Sequence, residues 1–125
     1  MDNFFADTYA IIEILKGNKN YKQYIDYNLI TTEFNLLEVS YALVRDFGGE
    51  KALEKIKLVR DSFKIIKVED EDFVKASSIR LKFKGKGKNL SLVDCLGYAV
   101  ALRLGIKFLT GDEEFRDIEN VEFVK

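Results

Sequence analysis

The sequence predicts an α/β fold, namely a three-layer α/β/α sandwich around a central, mostly parallel five-stranded sheet. Short apolar runs alternate with helical patterns along the chain, and these runs are apolar on both faces. Strands of that kind must be covered by helices on both sides, as in parallel sheets. At 125 residues the chain is expected to be one domain, residues 1–125, that buries about two-thirds of its unfolded surface.

The strands are predicted from five short runs rich in aromatic and β-branched side chains. At least one helical segment or turn separates each run from the next, which is typical of parallel strands joined by crossovers. The predicted strands cover residues 3–6, 29–31, 65–68, 107–109 and 121–124.

The helices are predicted from apolar residues that recur every three or four positions. Gly17 and the pair Gly48 and Gly49 mark the points where two of them end. The segment 33–47 has a wide apolar stripe, and 92–104 is almost entirely apolar and should be buried on most of its circumference. The predicted helices cover residues 8–16, 21–27, 33–47, 50–63, 71–83 and 92–104, with at most one turn at 112–116.

Composition excludes several classes of protein. Apolar residues make up 47% and charged residues 33%, an ordinary globular balance, and the net charge of -1 provides no global attraction to nucleic acid. The single Cys95 cannot form an internal disulfide, so we expect a cytoplasmic protein. We expect neither a signal peptide nor a membrane span, because no run approaches about 18 apolar residues.

The chain contains no histidine. This excludes Ser-His-Asp and Cys-His catalysis, histidine acid-base chemistry and the usual zinc sites that contain histidine. Any catalysis must therefore use carboxylates, lysines or metal ions.

Four carboxylates occupy unusual positions. Asp7 follows the first predicted strand, Asp112 follows the fourth, and Glu38 and Asp94 lie in apolar helices. In an open parallel sheet, ligands bind beyond the carboxyl ends of the strands, where the strand order reverses. We therefore expect these acids to converge at one edge of the sheet.

Helix capping is the alternative explanation for these acids. Ser91 and Asp94 have the spacing of a capping box, Asp7 and Asp112 can cap the turns that follow them, and Glu38 can point outward. Against this, four converging carboxylates would repel one another and raise their own pKa values unless a cation compensated them. Oxygen-rich sites without sulfur or imidazole suit Mg²⁺ or Mn²⁺, which can activate water for phosphodiester hydrolysis.

The fragments FADT, NLLEV, SLVDCLGYAVALRLG and FLTGDEEF together resemble the PIN-domain nucleases, and most closely the VapC-type ribonuclease toxins. The resemblance implies that the acids of these fragments are the catalytic metal ligands, that Thr110 supports the fourth acid, and that a homodimer and a small antitoxin partner exist. Glu114 stands where the family often has a further aspartate, so it is either a supporting residue or a surface residue. The implied metal ligands are Asp7, Glu38, Asp94 and Asp112.

A basic run precedes the apolar helix. Lys82, Lys84, Lys86 and Lys88, with Arg80, form this run. Its lysines are predicted to contact the RNA backbone, with Lys84, Lys86 and Lys88 as the binding residues, and a solvated flexible linker is the alternative. No P-loop motif is present. Four aromatic residues at helical spacing are expected in the core or at a dimer face rather than to stack on bases: Phe34, Tyr41, Phe47 and Phe63.

The sequence therefore favours a metal-dependent endoribonuclease that uses Mg²⁺ or Mn²⁺, with the role of toxin implied by the resemblance. A catalytically inactive PIN-fold module that binds RNA or protein is the main alternative. A phospho-acceptor receiver domain is a weaker alternative, because it predicts paired acids after the first strand, where this chain has only Asp7.

Overall fold

The computed structural model describes residues 3–125. Five strands and five α-helices alternate within this range, with two short 3₁₀ segments at Lys19–Asp26 and Glu113–Phe115. The strands are β1 (Asn3–Ala6), β2 (Asn28–Thr31), β3 (Lys64–Ile65), β4 (Lys107–Thr110) and β5 (Val121–Phe123). The helices are α1 (Thr8–Leu15), α2 (Glu33–Phe47), α3 (Gly49–Ser62), α4 (Asp70–Gly85) and α5 (Leu92–Leu104).

The five strands form one sheet in the order β3-β2-β1-β4-β5. All four pairings are parallel, which confirms the predicted sandwich and its sheet. The chain fills one half of the sheet from β1 to β3 and then crosses to β4, so the strand order reverses between β1 and β4. The carboxyl ends of these two strands therefore form the switch point, the usual place for a ligand site in an open parallel sheet.

Successive residues of the strands point to opposite layers. Phe4 and Ala6 pack into a cluster with α1, α2 and α3, whereas Phe5, between them, packs with α4 and α5. Phe108 of β4 stacks on Phe5 with a centroid distance of 5.7 Å. Two apolar cores on opposite faces of the sheet thus hold the three layers together.

The predicted bounds hold for most elements, and α2 and α5 match at both ends. The third strand was predicted over residues 65–68, but β3 contains only Lys64 and Ile65. Ile66 N still donates a hydrogen bond to Thr31 O at 2.9 Å. The chain then leaves the sheet, and α4 begins at Asp70. Among the described residues, no helix is long and apolar enough to cross a membrane.

The apolar stripe that α2 buries against the core is narrower than predicted. Leu36, Val39 and Leu43 are buried, but Leu37 and Tyr41 remain 71% and 72% exposed. Phe34, Tyr41 and Phe47 are exposed and lie outside the core, whereas Phe63 packs against it. A dimer face for the exposed aromatic residues stays a prediction. Among residues 3–125, one side of α2 therefore keeps an exposed apolar surface.

Candidate active site

Asp7 lies at the centre of the candidate site. The pairing of Ala6 with Leu109 places Asp7 beside Thr110, one residue beyond the pair on each strand. Asp7 is 2% exposed, and it caps α1 by accepting a hydrogen bond from Ala10 N at 2.8 Å. The fully buried Thr110 lies beside Asp7, and its side chain lowers the pKa of the Asp7 carboxyl.

Asp112 follows β4 at the same edge. Its backbone N donates to Thr110 Oγ1 at 3.1 Å, and its Oδ1 accepts from Glu114 N at 3.0 Å. The preceding Gly111 is buried, and a Cβ at this position would overlap the Val124 carbonyl oxygen and the Tyr9 ring. Only glycine lets the chain turn here, so Gly111 sets the position of Asp112.

Asp94 approaches the same edge from α5. The capping box is present: Asp94 N donates to Ser91 Oγ at 3.0 Å, and Asp94 Oδ2 accepts from Ser91 N at 2.9 Å. One turn later, a Cβ on Gly97 would lie 2.7 Å from a ring carbon of Phe5. This close contact between α5 and β1 brings the first turn of α5, and with it Asp94, towards Asp7.

Glu38 is held by residues that the sequence analysis did not identify. Thr8 Oγ1 donates to Glu38 Oε1 at 2.7 Å, and Asn35 Nδ2 donates to Thr8 Oγ1 at 3.2 Å. Thr32 Oγ1 in turn donates to Asn35 Oδ1 at 2.7 Å, and both Thr32 and Asn35 are buried. The signal in the sequence was a polar Asn35 on the same helical face as Glu38, one turn earlier.

Charge repulsion couples the four acids. Burial, followed by the negative charges of Asp94 and Asp112, raises the pKa of Asp7 to about 8, although the Thr110 side chain and the hydrogen bond from Ala10 lower it. The pKa of Asp94 is also raised, first by burial and then by the charges of Asp112 and Glu38, against the two bonds with Ser91. The structure therefore brings all four predicted acids to the same edge of the sheet.

Glu38, Asp94 and Asp112 each accept a protein hydrogen bond on one carboxylate oxygen. Within residues 3–125, we find no protein donor on the second oxygen of Glu38, Asp94 or Asp112. Capping and cation binding are therefore compatible, since each of these three carboxylates keeps an oxygen without a protein donor. A hard divalent cation fits this donor set, because Mg²⁺ and Mn²⁺ prefer oxygen ligands and a positive charge would relieve the repulsion.

The spacing of the acids limits how they can bind such a cation. In the part of the chain that the structure describes, no three His, Cys, Asp or Glu side chains are close enough to form a ligand cluster. Mg²⁺ is usually held by one or two carboxylates and keeps several waters. The arrangement suits this mode, in which the remaining acids act through bound water.

The other predicted residues lie around this edge. Glu114 Oε2 accepts a hydrogen bond from Asn89 N at 3.4 Å, so it joins the β4 end to the segment before α5. Lys86 and Lys88 line a groove beside that segment, whereas Lys84 lies outside its lining. The predicted basic linker is also shorter than expected, because α4 continues to Gly85.

Comparisons with known proteins agree with this fold. No curated protein matches the sequence. VapC20 of Mycobacterium tuberculosis, described as a Sarcin-Ricin loop cleaving toxin, has a TM-score of 0.81 at 18% identity, over 98% of this chain and 99% of that chain. VapBC2 from Rickettsia felis has a TM-score of 0.79 at 17% identity, over 98% and 99% of the two chains. VapBC-1 from nontypeable Haemophilus influenzae has a TM-score of 0.76 at 16% identity, over 97% and 96%.

These identities are low, so the likeness to the solved structures shows the fold. The family model for the PIN domain matches residues 4–121, nearly the whole chain. The chain therefore belongs to the PIN domain family.

Proposed function

We propose that this protein is a metal-dependent endoribonuclease that hydrolyses RNA phosphodiester bonds and acts in the cytoplasm as the toxin of a toxin-antitoxin pair. The observation that carries the proposal is the convergence of Asp7, Glu38, Asp94 and Asp112 at one edge of the sheet, where burial and then the charges of the neighbouring acids raise the pKa of Asp7 and Asp94. Membership of the PIN domain family supports a nuclease. The likeness to a Sarcin-Ricin loop cleaving toxin supports RNA as the substrate.

The residues of the site would hold Mg²⁺ or Mn²⁺ through carboxylate oxygens of the four acids. When bound, such an ion supplies a Lewis acid and lowers the pKa of a bound water. The N-terminus of α1 orients Asp7 through the hydrogen bond from Ala10 N. Thr8 and Asn35 orient Glu38. One of the carboxylates would accept the proton of the water whose oxygen attacks phosphorus as the phosphorus-oxygen bond breaks.

The protein partners are proposed from the exposed side of α2. Leu37, Tyr41 and Val44 follow one face of the helix and are 71%, 72% and 51% exposed. A contiguous apolar stripe of this kind is typical of a protein interface. We extend the proposal to a homodimer and to a small antitoxin, in line with the toxin-antitoxin complexes among the structural neighbours.

An inactive PIN-fold module that binds RNA or protein remains the second candidate. It is favoured by one observation, namely that no three acidic side chains among residues 3–125 are close enough to enclose an ion. The two candidates differ in metal binding and in RNA cleavage, so one series of measurements separates them.

The test is Mn²⁺ binding by calorimetry for the wild type, Asp94→Asn and Asp61→Asn. Asparagine at position 94 can still accept the bond from Ser91 N, so the cap is retained while the charge is lost. Asp61 is exposed on α3 and provides the matched control. We expect the wild type and Asp61→Asn to bind equally, and Asp94→Asn to bind at least about tenfold more weakly.

RNA cleavage then tests the activity itself. The wild type should cleave single-stranded RNA with Mn²⁺ and lose this activity in excess chelator, and Asp94→Asn should be inactive. Absence of Mn²⁺ binding by the wild type would refute the metal site, and binding without cleavage would favour the inactive module.

A further inference from the structure

A groove of about 660 Å³ runs along α4 beside the candidate active site. One wall is α4, the floor includes Tyr98 and Leu102 of α5, and the other wall is the segment 116–119. The α4 wall carries Lys75 and Lys82. Lys82 belongs to the basic run that the sequence predicts, whereas Lys75 lies two helical turns before it and was not predicted.

The groove has a positive α4 side. Lys75, Lys82, Lys86 and Lys88 line it, and within residues 3–125 none of them has a carboxylate within salt-bridge distance. Arg116 also lines the groove, but Glu113 neutralises it through bonds of 2.8 Å from both Nε and Nη2. Two acids, Asp117 and Glu119, occupy the opposite wall. In the described part of the chain, four lysine ammonium groups without a salt bridge therefore face two carboxylates.

The lysines are spaced along the groove rather than clustered at one point. Lys75 and Lys82 are two helical turns apart, about 10 Å along the axis of α4. Lys86 follows Lys82 by a further turn and lies over the ring of Phe83 with its Nζ 5.8 Å from the centroid. Such a row can contact successive negative groups of an extended chain.

The positive row is linked to one of the four acids. Lys88 lies at the end of the groove, and the next residue, Asn89, donates from its backbone N to Glu114 Oε2 at 3.4 Å. Glu114 N in turn donates to Asp112 Oδ1 at 3.0 Å. None of the four acids lines the groove, but its Lys88 end is connected through Asn89 and Glu114 to Asp112.

The segment that carries the last lysines is held in place by its backbone. Lys88 N donates to Phe83 O at 2.9 Å and Gly87 N donates to Lys84 O at 3.1 Å. Gly87 adopts a φ of 79°, a conformation that favours glycine. The lysines at this end thus project from a defined helix terminus rather than from a free linker.

We propose that this groove binds the phosphate backbone of single-stranded RNA on one side of the bond that the acids cleave. The inference rests on the proposed ribonuclease function. It adds Lys75 as a binding residue remote from the chemistry, and it places Lys82 of the predicted basic run in the same groove. RNA is favoured over an acidic protein segment because the Lys88 end of the positive row is connected to the carboxylate edge, where a phosphodiester must lie for hydrolysis.

The test compares two double variants with the same loss of charge. Lys75→Gln with Lys82→Gln removes two lysines from the groove, and Lys51→Gln with Lys57→Gln removes two exposed lysines from α3, which packs on the other face of the sheet. Binding of a fluorescent single-stranded RNA is measured by anisotropy in chelator, over a series of salt concentrations. Without divalent metal, cleavage cannot affect the result.

We expect the groove variant to bind RNA about tenfold more weakly than the wild type, and the α3 variant to bind as the wild type does. The slope of log K against log salt should decrease in magnitude by about 1.4 for the groove variant, since each single-strand phosphate contact contributes about 0.7. A circular dichroism spectrum and unfolding midpoint equal to those of the wild type would show that the groove variant is folded.

If the wild type binds RNA, two results would overturn the proposal. The two double variants would weaken RNA binding equally, or the groove variant would keep the RNA affinity and the salt dependence of the wild type. An acidic protein segment would then be the occupant to test. Failure of the wild type itself to bind RNA would count against the ribonuclease function as well. The failure of the groove and the failure of the function are therefore distinguishable.

Discussion

Asp7 should dominate the pH dependence of stability of the metal-free protein. In the folded chain its pKa is raised from 3.8 to about 8, mainly because the carboxyl group is buried. Between these two values the unfolded chain has released the proton and the folded chain still holds it. The stabilising contribution of the protonated Asp7 is therefore fully present below about pH 4, and it is lost as the pH rises towards about pH 8.

The magnitude follows from proton linkage. One proton difference between the folded and unfolded states changes the free energy of unfolding by about 1.4 kcal/mol per pH unit. From pH 5 to pH 7 the wild type should lose up to about 3 kcal/mol through Asp7. Asparagine at this position cannot ionise, and its side-chain oxygen can still accept the bond from Ala10 N, so Asp7→Asn removes this loss.

The assay is urea unfolding of the wild type and Asp7→Asn at pH 5, 6 and 7 in the presence of chelator. The difference in the free energy of unfolding should grow with pH in favour of the variant. The raised pKa of Asp94 affects both proteins and largely cancels in this difference. Parallel pH profiles would refute the conclusion that Asp7 is a buried carboxyl with a raised pKa. Mn²⁺ should stabilise the wild type at pH 7 but not the variant.

Two further predictions test how the site is positioned. Thr8→Val keeps the size of the side chain but removes the hydroxyl that donates to Glu38. We expect the Mn²⁺ affinity to fall about tenfold or more while the unfolding midpoint changes little. An unchanged Mn²⁺ affinity would show that this hydrogen bond does not position Glu38. Gly111→Ala should destabilise the protein by about 1–3 kcal/mol in urea unfolding, because the new Cβ overlaps Tyr9. Gly49→Ala is the control with open space around its Cβ, and it should cause no such loss.

Local patterns were sufficient to predict most of the elements. The helical spacing and the capping residues give the same bounds for α2 and α5 as the structure does. The third strand was extended too far, because residues 66–68 have the apolar composition of a strand but pack against the second core after leaving the sheet. Composition alone does not reveal which residues of an apolar run have a strand to pair with.

The buried face of α2 was predicted less well. Its apolar residues lie on both sides of the helix, and the structure buries Leu36, Val39 and Leu43 while Leu37 and Tyr41 stay exposed. Periodicity shows that a helix has an apolar face, but two apolar faces can be told apart only when the neighbouring elements are known. The second face remains for a partner that the sequence pattern does not identify.

The sequence by itself determined the order of strands and helices, and it placed Asp7 and Asp112 at the ends of two strands, because strand runs and caps are local features. It also determined that any site here would be built from oxygen ligands, since the chain has no histidine and one buried cysteine. These properties depend on residues within a few positions of one another.

Only the tertiary structure decided how those residues meet. Thr8 and Glu38 are 30 positions apart, and their contact depends on how α1 packs against α2. The groove likewise exists only because α4 packs on α5 opposite the segment 116–119, which separates Lys75 and Lys82 from the rest of the helix surface. Packing angles between elements arise from the whole core, so no local pattern contains them.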